Sequence, residues 1–569
     1  MKRVRHSNSG LITTGLLVLI LLVGCRSALG TDPPATTSPS PLPEGLLPVT
    51  LADLPLAQSS QPCTNTFVGQ NLNHTTTVPG PVVELFESNG SGVALGDLNL
   101  DGLLDIVFAN VGGPGTLLWN QGNLNFKTES LPDNNTRAVN IVDVDGDGRP
   151  DLTFTHSTTG VTYWRNTGAP PNEPRFSREP LRGVDKPAYA MTWGDLNRDG
   201  QLDLVTGSYD VELEKELRDS FLFGTGAGIF YYSHRGENFV PQRLAQKSQA
   251  LAIALPDLNG DHQPDILVGN DFELPDMAWR RTETSWVTLE PFATKMSQNT
   301  MSFDLGDVNN DGQPEILATD MKPYQTDVKT MASWLPLMDY MNKHHPPQAP
   351  GQIVENVLQV RGADGRYHNE GYTRAVDATG WSWSSKFGDL NNDGFLDIYV
   401  VNGMIAADLF GYLPRNELVE ANQALRNQGD GYFTPAPEWG LGSTASGRGM
   451  SLADLNNDGS LDIVVNNLQS PAQLFENRLC GGSSIEVDLV WPAGANQRAI
   501  GAQLSLHTSA GTYYRDVRVA SGYLSGDPAR VHFGFPAGAE LQHLDIAWPD
   551  GQVSSVNSVT AQTLMTITR

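Results

Sequence analysis

At 569 residues the chain is long enough for more than one core, and 64 acidic residues against 37 Lys plus Arg give it a formal charge of -27. So acidic a chain excludes a nucleic-acid backbone as its partner, because affinity for phosphates rests on clustered Lys and Arg. Its 57 glycines and Asp-rich turns favour short strands over long helices.

The N-terminus opens on a basic head, Met1-Lys2-Arg3-Val4-Arg5-His6. An apolar run from Leu11 to Gly24 follows, too short to span a bilayer comfortably, and ends Leu22-Val23-Gly24-Cys25. This resembles a bacterial lipoprotein signal with its lipobox. The resemblance implies that residues 1–24 are a signal peptide and that Cys25 becomes the lipidated N-terminus. It also implies a bacterial, membrane-anchored, extracytoplasmic location, on the periplasmic side or the cell surface. A plain signal peptide or anchor helix with an incidental cysteine is the alternative. Residues 25–62 read as a Pro/Thr/Ser-rich linker without a periodic apolar face.

A nine-residue acidic loop then recurs seven times, beginning at Asp97, Asp143, Asp195, Asp257, Asp307, Asp389 and Asp454. Oxygen-bearing side chains stand at positions 1, 3, 5 and 9, and in most copies an apolar residue at position 8 anchors the loop. That is calcium-loop spacing. The candidate ligands are Asp97, Asn99, Asp101 and Asp105; Asp143, Asp145, Asp147 and Asp151; Asp195, Asn197, Asp199 and Asp203; and Asp257, Asn259, Asp261 and Asp265. The last three copies offer Asp307, Asn309, Asp311 and Glu315; Asp389, Asn391, Asp393 and Asp397; and Asp454, Asn456, Asp458 and Asp462. An apolar run leads into each loop and, in most copies, a β-branched run leads out. The unit is therefore strand, loop, strand rather than the helix, loop, helix of an EF-hand.

Six copies carry three carboxylates and the second carries four. Crowded this tightly, they repel and call for a cation, giving up to seven Ca2+ ions. Asx-turns held by their own backbone amides are the alternative, above all in the fourth copy. There His262 replaces the Gly expected where the turn needs positive φ. The fifth copy ends in the longer Glu315, and these two sites are expected to be the weakest. His262 itself reads as a turn residue rather than a ligand.

After each outgoing strand comes an aromatic strand ending in Asn and Gly, as in Trp119-Asn120-Gln121-Gly122 and Trp164-Arg165-Asn166-Thr167-Gly168. With the following Phe126, Phe176, Phe239 or Phe433 it fits a hairpin between a third and a fourth strand. The repeats, with Gly96-Asp97, Gly194-Asp195, Gly306-Asp307 and Gly388-Asp389, resemble the FG-GAP/VCBS repeat family, whose members include the propeller heads of integrin α chains. The resemblance implies an all-β fold in which residues 63–480 form a seven-bladed β-propeller. Its last blade is one strand short. The orphan Asn65-Thr66-Phe67-Val68-Gly69-Gln70, upstream of the first blade, completes it and leaves no open edge. Cys63 and Cys480 then meet at one turn, so a disulfide between them is expected, with Cα atoms within about 7 Å.

Three insertions follow second strands and so leave from the face opposite the acidic loops: Tyr209 to Gly228, Asp320 to about Arg366, and Asn402 to about Asn422. The middle one holds a short amphipathic helix within Met331–Met341. Partner binding and capping of a central channel both account for such lengths. His344 and His345 lack a third ligand at motif spacing and read as solvent-exposed. No nucleophile elbow, phosphate loop or zinc-protease motif is present, so no catalytic residue is named and the chain reads as more binding protein than enzyme.

From Ser484 the pattern is β without acidic loops. Ile500-Gly501-Ala502, Ser521-Gly522-Tyr523-Leu524-Ser525, Val531-His532-Phe533-Gly534 and Trp548-Pro549-Asp550-Gly551 resemble the ASPIC/UnbV domain of cartilage acidic protein and its bacterial relatives. Residues 484–569 are thus expected to form a small β-sandwich-like domain, with His532 a hydrogen-bonded structural histidine. The reading that follows is a monomeric, calcium-binding, membrane-anchored binding or adhesion protein that recognises extracellular protein or glycan and no nucleic acid. The alternatives are a calcium-dependent polysaccharide lyase or hydrolase and a scaffold in a secreted complex.

Overall fold

The computed structural model describes residues 45–57, 62–169, 175–218, 227–272, 274–282, 285–289 and 291–569. The signal peptide, Cys25 and the linker up to residue 44 lie outside the described residues.

Seven antiparallel sheets follow one another along the chain, each of four strands paired in order; the sixth adds the two-residue strand Met321–Lys322. The first sheet runs Val93–Gly96, Asp105–Phe108, Pro114–Asn120 and Phe126–Asn134. The hairpins ending in Asn form where expected, with Phe126, Phe176, Phe239 and Phe433 each within the fourth strand. The first strand of each sheet lies against the first strand of the next, and that of the seventh lies against that of the first. Apolar residues fill the spaces between sheets, as with Ala94, Val107 and Leu117 of the first packed on Val139, Ile141 and Phe154 of the second.

In four of the seven copies glycine precedes the loop, at a point where neighbouring sheets meet. A Cβ at Gly96 would stand 2.8 Å from Ile141 Cγ2 of the second sheet, and one at Gly388 would stand 2.7 Å from Leu452 Cδ1 of the seventh. A Cβ at either position would force the facing side chain to shift. The seventh sheet takes its fourth strand from upstream of the first: Thr66–Thr75 pairs antiparallel with Pro471–Arg478. Cys63 and Cys480 are disulfide-bonded across that junction, with Cα atoms 5.2 Å apart.

Among the described residues the α-helices, Asp210–Leu217, Val328–His344 and Ala407–Phe410, lie in the insertions. The Asp327 carboxylate caps Val328–His344 by accepting from Lys329 N at 2.9 Å and Thr330 N at 3.2 Å, while Trp334 and Leu337 turn inward. The insertion is shorter than expected and occupies residues 320–356, because Val357–Arg361 is itself the third strand of the fifth sheet. Residues 402–422 lie beside it, and Tyr412 donates its hydroxyl to Ser333 O at 2.8 Å.

The C-terminal region forms two further four-stranded sheets. One contains Ser483–Val490, Val531–Phe535 and Thr563–Thr568, and its edge strand, Thr50–Pro55, comes from the stretch read as linker. Thr50 lies opposite Thr568 and Pro55 opposite Thr563. All six residues of this strand are exposed, so it has no buried face to betray it, and it is held chiefly by backbone pairing.

The segment between Thr512–Asp516 and Val531–Phe535 leaves these sheets and runs among the first strands of the seven-sheet array. Gly522 N donates to Phe303 O at 2.7 Å, Gly526 N to Val93 O at 2.9 Å, and Val139 N donates to Leu524 O at 3.2 Å. Ser451 Oγ donates to Gly526 O at 2.9 Å. Lys386 bonds Ser521 and Asp527, and Arg518 pairs with the fully buried Asp304 at 2.9 Å. Tyr523 reaches farthest, donating to Asn89 O at 2.9 Å beside the Trp383 ring.

Candidate metal centres

Each acidic loop is closed at its neck by strand pairing. Gly96 pairs with Asp105, Gly194 with Asp203 and Gly388 with Asp397, so position 9 is already the first residue of the second strand. In the fourth copy Asp265 N donates instead to Pro256 O at 2.7 Å. Within the first loop, the Asp97 carboxylate accepts from Asp101 N at 3.1 Å and Gly102 N at 2.8 Å, and Asn99 Oδ1 accepts from Asp101 N at 3.0 Å. The other six copies repeat this web, with Asp145 in the place of Asn99 in the second. It curls the backbone so that positions 4 and 6 both take positive φ, as at Leu100 (60°) and Gly102 (88°). His262 adopts φ 60° at position 6, so the fourth loop keeps the turn without glycine.

The position 9 carboxylate ties the loop to the hairpin beyond it. Asp105 accepts from Leu98 N at 3.1 Å and Asn120 N at 2.9 Å; Asp462 accepts from Leu455 N at 3.1 Å and Asn477 N at 2.8 Å. Asn120 then donates its amide to Leu104 O of its own loop and to Leu455 O of the seventh. Asn166 reaches Leu98 O, Asn427 reaches Val308 O and Asn477 reaches Leu390 O in the same way, each in the preceding sheet's loop. These asparagines were legible in the sequence only as turn residues. Their recurrence at the end of the aromatic strand is the signal that marks a clamp between sheets.

Burial, reinforced by neighbouring carboxylates, drives these groups toward neutrality in the absence of a cation. Asp105 and Glu315 are pushed up to about 8, and Asp151, Asp203, Asp265, Asp389 and Asp454 to about 7. Asp397 and Asp462 are also raised well above the usual carboxylate range, for the same reasons. Asp143 and Asp195 rise to about 6. In the second copy, oxygens of Asp143, Asp145 and Asp151 lie within 4.8 Å of one another, and Arg165 pairs with the additional carboxylate of Asp145 and with Asp147. All-oxygen donors, 12 of the 28 buried and crowded with like charge, fit a hard divalent cation of the size of Ca2+.

The acidic loops are also where the C-terminal sheets sit. Arg530, paired with Asp488 at 3.0 Å, donates to Gly102 O of the first loop and to Asn457 Oδ1 of the seventh. Gln497 bonds Gly146 O, Asn496 N donates to Gly200 O, and the Tyr514 ring covers Gly312. Gly482 N donates to Asn391 O at 3.1 Å. At the seventh loop Gly459 O lies 2.6 Å from Ser484 Oγ and 3.2 Å from His532 Nε2, which confirms a hydrogen-bonded, buried histidine. Among the described residues no hydrogen bond joins the fourth loop to this region; Arg198 bonds His262 O there instead.

The opposite strand ends carry a cavity of about 310 Å³ between Phe86, Gly113, Asn135, Ser157 and the helix Asp210–Leu217. Its floor is the buried pair Arg137–Glu212, at 2.8 Å, and Lys215 pairs with Glu84 at 2.7 Å at its side. Among the described residues Nε and Nη1 of Arg137 and Oε2 of Glu212 have no hydrogen-bond partner, and the Arg137 guanidinium lies over the Tyr189 ring.

The FG-GAP-like repeat family matches residues 97–154, 143–206, 257–318 and 407–465, spans that hold six of the seven loops, and the ASPIC and UnbV family matches residues 492–569. No curated protein sequence matches the chain. Among solved structures it is similar to BBS1N in complex with ARL6DN, soaked with mercury or with lead, at 10% identity. Those alignments cover 68% of this chain and 94% and 92% of the others, with TM-scores of 0.37 and 0.34. A Photorhabdus luminescens Tc holotoxin pore aligns at 11% identity over 87% of this chain and 18% of its own, with a TM-score of 0.29. At such TM-scores nothing about those proteins transfers to this one. The chain thus carries a region of FG-GAP-like repeats through its middle and an ASPIC and UnbV domain at its C-terminal end.

Proposed function

We propose that the seven sheets are the blades of a seven-bladed β-propeller spanning residues 63–480, that calcium occupies its acidic loops, and that residues 484–569 cap the calcium face. The 28 side chains at loop positions 1, 3, 5 and 9 are the ligands in this reading. The protein is then a binding or adhesion module, held at a membrane through Cys25 and presenting its opposite face to an extracellular protein or glycan. One observation carries this assignment: the acidic face is occupied by the chain's own C-terminal sheets, so the insertion face is the one left for a partner. That face exposes apolar side chains on the middle insertion, Val328 at 88% and Leu335 at 48%, with Tyr340 and Tyr412 beside them.

Protein and glycan arrays probed with the whole chain test the reading. Binding abolished by Leu335→Asp or Tyr340→Ala, with calcium content unchanged, supports it; binding indifferent to both variants sinks it. A second reading, a calcium-dependent polysaccharide lyase or hydrolase, draws on the cavity floored by Arg137 and Glu212, where carboxylates and cations converge on the insertion face. Turnover of acidic or neutral polysaccharides that is lost in Glu212→Gln would favour it.

A further inference from the structure

We propose a transition-metal site in the C-terminal domain, built from His507, His543 and Asp545 and distinct in kind from the acidic loops. The strands Gln503–Thr508 and Leu541–Ala547 pair antiparallel, with His507 opposite His543 and Ser505 opposite Asp545. Alternation sends Leu504, Leu506, Leu544 and Ile546 into the core and turns His507, His543 and Asp545 together onto the outer face, where all three are partly exposed. The two imidazoles stack, with centroids 4.1 Å apart and planes within 8°. Both aim Nε2 at the same carboxylate oxygen: Asp545 Oδ2 lies 3.4 Å from His507 Nε2 and 3.6 Å from His543 Nε2.

Those separations are too long for charge-assisted hydrogen bonds, which close to about 2.7–2.9 Å. They match the spacing of two ligand atoms around a tetrahedral ion with bonds of about 2.0–2.1 Å, which is about 3.4 Å. One donor atom from each of the three residues lies within 4.8 Å of the others, so a single ion reaches all of them after small rotations. The Thr512 hydroxyl oxygen lies 3.1 Å from His507 Nδ1; in the tautomer in which Nδ1–H donates to it, the Nε2 lone pair is left free for metal. Two imidazoles and one carboxylate form a borderline donor set that takes Zn2+ and its first-row neighbours, whereas the all-oxygen loops suit Ca2+. Three protein ligands leave the fourth position open to water or to a ligand atom brought by a partner.

The test uses the whole chain with its calcium loops saturated, so that zinc entering those loops is not counted. Isothermal titration with Zn2+ is expected to show one equivalent with a dissociation constant in the micromolar range or below. Cobalt in its place is expected to show the visible bands of a four-coordinate ion. His507→Ala and His543→Ala should each remove that equivalent, and Asp545→Asn should weaken it at least tenfold, with calcium content and melting temperature unchanged. All three side chains are partly exposed on a sheet face, so the variants keep the core intact. Absence of the equivalent in the parent chain, or its persistence in both histidine variants as an adventitious ion only, overturns the proposal.

Discussion

Gly92 shows how single residues in this chain answer to the surface that faces them. A Cβ built there would stand 1.7 Å from Leu524 O, so the backbone of the segment carrying Tyr523 lies directly on it. Gly92→Ala is expected to cost about 3 kcal/mol or more and to open the segment 517–530 to limited proteolysis, because both backbones are held by hydrogen bonds, Gly92 N to Arg137 O and Val139 N to Leu524 O. His262 is the converse case. It holds φ 60° where the other copies have glycine, and His262→Gly is expected to stabilise the chain by about 1 kcal/mol in chemical denaturation. The sequence displayed that mismatch, since seven aligned loops make one non-glycine conspicuous. It did not display why Gly96 and Gly388 precede their loops, because Ile141 and Leu452 approach them from other sheets.

At the scale of elements, two joints join distant parts of the chain. Cys63–Cys480 closes a separation of 417 residues, and Cys63→Ser with Cys480→Ser is expected to cost up to about 6 kcal/mol in the chain-entropy picture. The pairing was legible because the orphan strand and the strand-short last sheet complete one another. The second joint is Tyr523. Tyr523→Phe removes one buried hydrogen bond to Asn89 O, about 1 kcal/mol, and Tyr523→Ala also leaves a cavity, about 4 kcal/mol; calorimetric unfolding separates them. Its motif stood out in the sequence, yet its destination did not, since the 14-residue connection between Asp516 and Val531 carries no periodicity that points to the strands it will meet. The edge strand Thr50–Pro55 escaped for a related reason: a wholly exposed strand has no buried face to pattern.

For the molecule as a whole, the proposed calcium loops would couple metal to stability and to pH. Buried carboxylates raised to about 7 or 8 against an unfolded value near 4 contribute stability that is full below the unfolded pKa and lost as pH climbs through the folded one. Calcium-free protein should therefore melt progressively lower between pH 6.5 and 8.5. His532, depressed to about 4, acts oppositely: its contribution is complete above 6.5 and falls only as pH drops toward 4, so it does not mask the trend. Bound calcium holds the carboxylates ionised and should flatten the profile. Because Gly102, Gly459 and Asn391 of these loops contact the C-terminal sheets directly, calcium should also hold those sheets in place.

The most direct measurement is bound calcium per chain by equilibrium dialysis, taken with hydrogen exchange of residues 484–569 with and without chelator. The expected result is several ions per chain, up to seven, one fewer after Asp458→Asn, and faster exchange at Ser484, Gly534 and the segment 517–530 when calcium is removed. A chain that binds one ion or none, or whose C-terminal sheets exchange identically with and without calcium, would contradict the role given to the loops.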